Sequence, residues 1–119
     1  MVPIKLDVQD ILDILCTAFN GGVEYWCEYV RGHGGDTSRL PGKRNKVAYE
    51  YEWLAIGGSL EIGVDGEVYT LTQKLLQDGL WKWFASNDCQ LSFEKLRNID
   101  AGDADSIIQY SLFGELRYN

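Results

Sequence analysis

Apolar residues fall into two kinds of period along this chain. After a short extended start at Ile4 to Leu6, Asp7 is placed to cap a helix in which Val8, Ile11, Leu12, Leu15, Ala18 and Phe19 recur at i, i+3, i+4, i+7. Asp10 and Asp13 keep the opposite face wet, and Asn20-Gly21-Gly22 supplies the residue types that end a helix. The next stretch, Val23 to Val30, fits a helix better than a strand. As a helix, Val23, Trp26, Cys27 and Val30 share a face and the glutamates Glu24 and Glu28 turn outward; as a strand, acids and rings would mix. The double glycine then reads as the corner of a helix–helix pair.

Residues 31–46, rich in glycine and polar side chains and without a period, predict an exposed, mobile loop of a length that often carries function. Val47, Tyr49, Tyr51 and Trp53 then alternate with Ala48, Glu50 and Glu52, the mark of a half-buried strand. Gly57-Gly58 supplies a turn. Asp65-Gly66 predicts a type I′ hairpin that sets Val64 opposite Glu67, Ile62 opposite Tyr69 and Leu60 opposite Leu71. Thr70, with Gln73 three residues on, is placed to cap a helix lined by Leu75, Leu76, Leu80, Trp83 and Phe84. Gly79 weakens that helix by about 1 kcal/mol relative to alanine. A strand is expected near Gln90 to Phe93, then a last helix capped by Asp103, with Ile107, Ile108, Ser111 and Leu112 inward and Gly114 at its stop. Together these predict a single α+β domain over residues 1–119. A small antiparallel sheet of three or four strands, including the DG hairpin, packs against about four helices.

Charge adds an asymmetry that periodicity does not show. The net charge is −7. From Arg31 to Lys46, five basic residues face Asp36 alone, a balance of +4; the rest of the chain, with six basic and seventeen acidic residues, stands at −11. A cationic loop on an anionic body repels nucleic acid at long range and suits a partner with a basic surface. No apolar run approaches the roughly 20 residues that cross a bilayer. The first residues lack the basic-then-apolar pattern of a secretion signal, so a cytoplasmic location is expected, with no membrane partner. Cys16, Cys27 and Cys89 are odd in number and lack CxxC spacing, which argues against a disulfide framework or zinc site; helical spacing places Cys16 and Cys27 inside as small apolar residues.

Candidate chemistry is sparse. His33, the only histidine, lies in the glycine-rich loop without a cysteine partner and reads as solvated. "RGHGGD" and "LPGKRN" resemble phosphate loops in composition but lack the GxxxxGK[ST] pattern. Asp100, Asp103 and Asp105 miss calcium-loop spacing and are explained by the dipole of a helix N-terminus. The pairs Glu24/Glu28 and Glu50/Glu52 solvate exposed faces unless a cleft sets them in unequal environments. No cofactor, metal site or catalytic set is expected. The aromatic residues remain: Tyr25 and Tyr29 on the outer flank of the second helix, and Tyr49, Tyr51 and Trp53 on one strand face. Most belong in or near a core. Beside Arg31, His33, Arg39, Lys43 and Arg44 they would also form a pocket for a flat anionic ligand, by stacking and ion pairing.

Three segments, "DILDILCTAFNGGVEYWCEYV", "DGEVYTLT" and "NIDAGDADSIIQYSLFGELRYN", resemble a family of small proteins carried by phages and prophages of Gram-positive bacteria. That family has a GGxxYWC stretch and a D-x-x-D-A-D-x-I-I-Q-x-x-L-F-G-E ending. The resemblance covers nearly the whole chain, least so the basic loop, and brings no assigned catalytic residues. It implies a protein that counters host antiviral defence in the host bacterial cytoplasm. The missing catalytic set makes that protein non-enzymatic, the rings beside cations suit a small nucleotide-like ligand, and the −11 body suits a host defence protein as partner. Three expectations follow. The first is sequestration of a nucleotide-derived signal in the aromatic and basic pocket. The second is an anti-CRISPR-type inhibitor whose acidic surface mimics DNA, and the third is a phage structural or assembly protein. Direct nucleic-acid binding is not expected, and homo-oligomerisation is left open.

Overall fold

The computed structural model describes residues 5–87 and 93–119. Among them, five α-helices and a three-stranded antiparallel sheet make the expected small α+β fold. Helix α1 (Val8–Thr17) starts where the sequence predicts. Asp7 accepts the Asp10 N–H at 2.8 Å while Asp10 accepts the Asp7 N–H at 3.1 Å, a reciprocal cap that satisfies two otherwise orphan donors. The chain leaves α1 through one wider turn, Ala18–Gly22, where Asn20 and Gly21 abandon helical geometry.

The second predicted helix is not there. Residues 23–26 form a turn, and Tyr29–His33 is strand β1. The helical spacing of Val23, Trp26 and Cys27 is instead met by this turn, where Trp26 and Cys27 N–H groups bond the Val23 carbonyl at 3.1 and 2.9 Å. The strand predicted over Val47 to Trp53 is also absent; those residues form turns that lead into the short helix α2 (Glu52–Ala55). Tertiary contacts, described below, override the local period in both segments.

Strands β2 (Ser59–Val64) and β3 (Glu67–Leu71) form the hairpin in the predicted register, with Asp65 and Gly66 at positive φ. Strand β1 pairs with β2 from Tyr29↔Gly63 to His33↔Ser59, so β2 is central. Helix α3 (Gln73–Ser86) is capped by Thr72, not Thr70: the Thr72 hydroxyl accepts the Leu75 N–H at 3.2 Å, because β3 runs on to Leu71. Leu76, Leu80, Trp83 and Phe84 are buried along α3, but Leu75 points outward. Helix α4 (Phe93–Arg97) begins at the last residue of the strand expected over Gln90 to Phe93; the rest of that segment, with Cys89, lies outside the described residues. Helix α5 (Ala101–Phe113) is capped by Asp100, with Asp103 as the reciprocal partner at 2.8 and 3.1 Å, and stops at Gly114 with φ 73°. Leu112 is only half-buried, whereas Ile107, Ile108 and Ser111 are inside.

The core lies between the sheet and the helices. Leu60, Ile62, Val64 and Leu71 from one sheet face meet Leu15, Leu76, Leu80, Ile107 and Ile108, all essentially removed from water. No described helix is long and apolar enough to cross a membrane. Cysteine placement departs from the helical expectation. Cys16 is exposed, because the half of α1 it occupies faces a groove, and Cys27 is half-buried, where burial raises its thiol pKa.

Gly79 marks the tightest helix crossing. A Cβ there would meet the Ser111 side chain and come within 2.6 Å of the Ser111 backbone nitrogen, so α3 and α5 approach only because that atom is missing. Alanine would raise helix propensity by about 1 kcal/mol, yet overpacking of this kind typically costs about 1–3 kcal/mol. With backbone as the obstacle the cost lies toward the upper end of that range, so Gly79→Ala is expected to lower the unfolding free energy by about 1–2 kcal/mol net. Urea denaturation of the two proteins measures it; an equal or higher midpoint for the variant contradicts the close-packed crossing.

Candidate functional site

The basic loop is built around acids, not left loose. Asp36 accepts the Ser38 N–H at 3.0 Å and hydroxyl at 2.7 Å, capping a single 3-10 turn, Thr37–Arg39, and these bonds hold its carboxyl below the ordinary carboxylate range. Leu40, which follows, is buried. Beyond it, Glu52 turns inward from the start of α2 and is 5% exposed. One carboxylate oxygen, Oε1, accepts the N–H groups of Ala48 at 2.5 Å and Tyr49 at 3.0 Å as well as Arg44 Nη2 at 2.8 Å; Oε2 accepts Arg44 Nη1 at 2.8 Å. The Arg44 fork is the largest cause, ahead of the opposing effect of burial, that takes the Glu52 carboxyl from 4.5 down to about 2. Arg44 Nη2 also reaches the Lys46 carbonyl at 3.4 Å. Four donors and two oxygens thus fix the backbone of residues 44–49.

That scaffold holds a ladder of rings. Phe19 stacks on Tyr51 at 6.0 Å between centroids and 9° between planes, and Tyr51 stacks on Tyr49 at 5.5 Å and 4°. Tyr51 is buried, and burial, then its hydrogen bond with Cys16, pushes its hydroxyl pKa up to about 12. Asn20 Nδ2 donates to both Cys16 Sγ at 3.2 Å and the Tyr51 hydroxyl at 3.4 Å, tying the ladder to the end of α1. Tyr49, at the outer end, is 58% exposed. Between the ladder and α1 lies a cleft of about 220 Å³ lined by Asp13, Cys16, Pro41, Arg44, Tyr49 and Tyr51, among others. Asp13 and Cys16 also border a second hollow of about 270 Å³ on the far side of α1, next to Leu96 and Arg97.

The ten residues expected to share one pocket are divided among several places. Arg44, Tyr49 and Tyr51 share the cleft. Trp53 does not join them; half-buried, it packs over Gly32 and Gly35, because α2 rotates it away from Tyr51. Tyr29 lies flat over Gly63 on the sheet, with the Arg31 guanidinium 5.8 Å from its ring centre. His33 sits 3.7 Å from Glu61 beside an open hollow of about 430 Å³ formed with Gly57, Gly58, Thr72 and Lys74, and Arg39 lies against Gly57. Lys43, at φ 61°, is exposed in the loop.

Tyr25 serves a different end. Its hydroxyl donates to Asp105 at 2.6 Å, and Trp26 Nε1 donates to the same carboxylate at 2.7 Å. Gln109 Nε2 adds a third bond at 2.9 Å. Desolvation, then this carboxylate, lifts the Tyr25 pKa to about 12. Asp105, expected only as negative charge at a helix N-terminus, is an interior clasp between residues 25–26 and α5. Gln109 also receives the Arg117 and Tyr118 N–H groups at 2.8 and 2.9 Å, which brings the Tyr118 ring onto Trp26, stacked at 5.5 Å.

Sequence reasoning missed Glu52, Phe19, Asp13 and Cys16 as parts of the site. Asp13 and Cys16 are one turn apart on α1, a spacing visible in the sequence; nothing local signals that Glu52 points inward. Among the described residues, no group of three or more His, Cys, Asp or Glu side chains is placed to hold a metal ion. No family model, curated protein or solved structure matches this chain.

Replacing Glu52 by glutamine keeps an acceptor for the backbone but removes the charge that Arg44 faces. The expected loss is about 1.5–3 kcal/mol, the range for hydrogen bonds to a charged group. The pH dependence has a definite sign. Glu52 has a folded pKa near 2 against an ordinary 4.5, so its contribution is present above 4.5 and is lost as pH falls toward 2. Thermal unfolding between pH 5 and pH 2 should therefore show a steeper decline for wild type than for Glu52→Gln; parallel curves would show that Glu52 is not the group responsible.

Proposed function

We propose that this protein binds and holds a flat, anionic small molecule on the outer face of Tyr49. The carrying observation is the Phe19–Tyr51–Tyr49 ladder. Its inner rings are fixed by packing, its planes lie within 9° of parallel, and its last ring is open to water. A planar base added beyond Tyr49 continues the ladder without reorganising it, which reduces the ordering cost of binding. Lys43 and Lys46, exposed on the same loop, supply positive charge for a phosphate. In line with the family resemblance, the ligand class is a nucleotide-derived signal of a host antiviral defence. The protein acts by sequestration rather than turnover.

The acidic-mimic reading draws less support from the geometry. Asp7, Asp10, Asp36, Asp100 and Asp103 are engaged in capping, and Glu52 and Asp105 are buried among donors. These carboxylates serve the fold, whereas a surface that replaces a DNA backbone needs freely presented negative charge.

Isothermal titration against cyclic nucleotides and ADP-ribose derivatives tests the proposal. Binding is expected to one or more of them. Tyr49→Ala should weaken it by about 10- to 100-fold, since base–ring stacking is worth about 1–3 kcal/mol. No heat from the whole panel at micromolar protein, or undiminished binding by the variant, would overturn it.

A further inference from the structure

The two edges of the sheet differ. A two-residue turn at Asp65-Gly66 makes Val64 and Glu67 a hydrogen-bonded pair, so Glu67, Tyr69 and Leu71 direct their backbone groups toward β2. The N–H and C=O groups of Val68 and Thr70 then face away from the sheet. By the same alternation, Val30 and Gly32 present the outward groups of β1. There the edge is covered at Gly32: Glu50 Oε1 takes its N–H at 3.1 Å, and Trp53 and the Glu50 backbone pack against it. On β3, no hydrogen bond reaches the outward groups of Val68 or Thr70 from any described residue. Both side chains are exposed, Val68 by 58%. The strand sequence, EVYTL, contains no proline, lysine or bulge to keep the edge single, and its one charge, Glu67, lies at the turn end.

We propose that β3 is a homodimer interface, with two copies pairing edge to edge and antiparallel about a two-fold axis at Tyr69. That register places each Val68 opposite Thr70 of the second copy, and each such pair exchanges two N–H···O=C bonds. The outer sheet face gains β-branched cross-strand neighbours, which pack well on a pleated surface. Charge selects the same register. Glu67, the only charged residue of β3, falls opposite Leu71 rather than opposite itself. It also lies diagonal to the second copy's Tyr69, whose hydroxyl receives Arg117 Nη1 at 3.2 Å within its own chain. An acid of each copy thus approaches an arginine of the other. The result is a continuous six-stranded sheet, independent of the Tyr49 cleft.

Sedimentation velocity on the full chain tests this. It is run from about 1 to 100 μM, the range in which a modest interface passes from monomer to dimer. Salt at about 0.15 M shortens the screening length to about 8 Å, which limits repulsion between two negatively charged bodies. The mass is expected to rise from 13.5 kDa toward twice that value. Val68→Lys, at an exposed position, should weaken the dimer at least tenfold with an unchanged circular dichroism spectrum and melting temperature. Thr70→Pro, which removes one outward donor, should do the same. A wild type that stays at 13.5 kDa throughout, or dimers of equal strength in both folded variants, would overturn the proposal.

Discussion

A buried carboxylate must be surrounded by donors, and Glu52 organises the basic loop through that requirement. Desolvation alone would drive its proton back on; the Arg44 fork and two backbone N–H groups reverse the balance and keep it ionised. Those donors come from Arg44, Ala48 and Tyr49, so the same contacts set Tyr49 onto Tyr51. Asp105 applies the same rule on the other side of β1. It gathers Tyr25, Trp26 and Gln109, and so fastens the turn before β1 to α5. Two segments that lack a ladder or a helical repeat are each held by one inward acid.

Those two acids also explain which parts of the fold were legible. Helices α1, α3 and α5 each keep an apolar stripe toward the core, so their period survives in the sequence with Asp7 and Gly114 as end marks. The β2–β3 hairpin is local as well: the turn geometry of Asp65-Gly66 fixes its register before any helix packs on it. Where partners are distant in sequence, the period misleads. Trp26 meets Asp105 and Tyr29 meets Gly63, and neither pairing can be read from residues 23–30 alone. The strict alternation from Val47 to Trp53 was equally deceptive, since a strand reading sends Glu52 to solvent with Glu50. In the fold Glu52 is buried and Glu50 reaches the β1 edge.

The candidate site was legible in its ingredients but not in its assembly. Rings and cations near residues 31–53 do meet, yet only Arg44, Tyr49 and Tyr51 of the expected set line one cleft. Residue type identifies what can stack or pair; the three-dimensional route of the loop decides what is adjacent. The third ring of the ladder, Phe19, comes from the end of α1, and Asn20 holds the hydroxyl of the second. A sequence pattern confined to the basic loop cannot contain either residue.

The internal use of Arg44 has a consequence for recognition. Its guanidinium gives both terminal nitrogens to Glu52, so an anion entering the cleft meets a neutralised pair and, beyond it, the carboxylate of Asp13. Drawing Arg44 away would leave Glu52 buried with fewer donors, an exchange that favours the existing pair. Attraction for a phosphate therefore has to come from the exposed lysines of the loop, where water and salt weaken it. Selectivity at Tyr49 then follows the area and flatness of the ligand ring more than its number of phosphates, because stacking is the interaction the fold has prepared in advance.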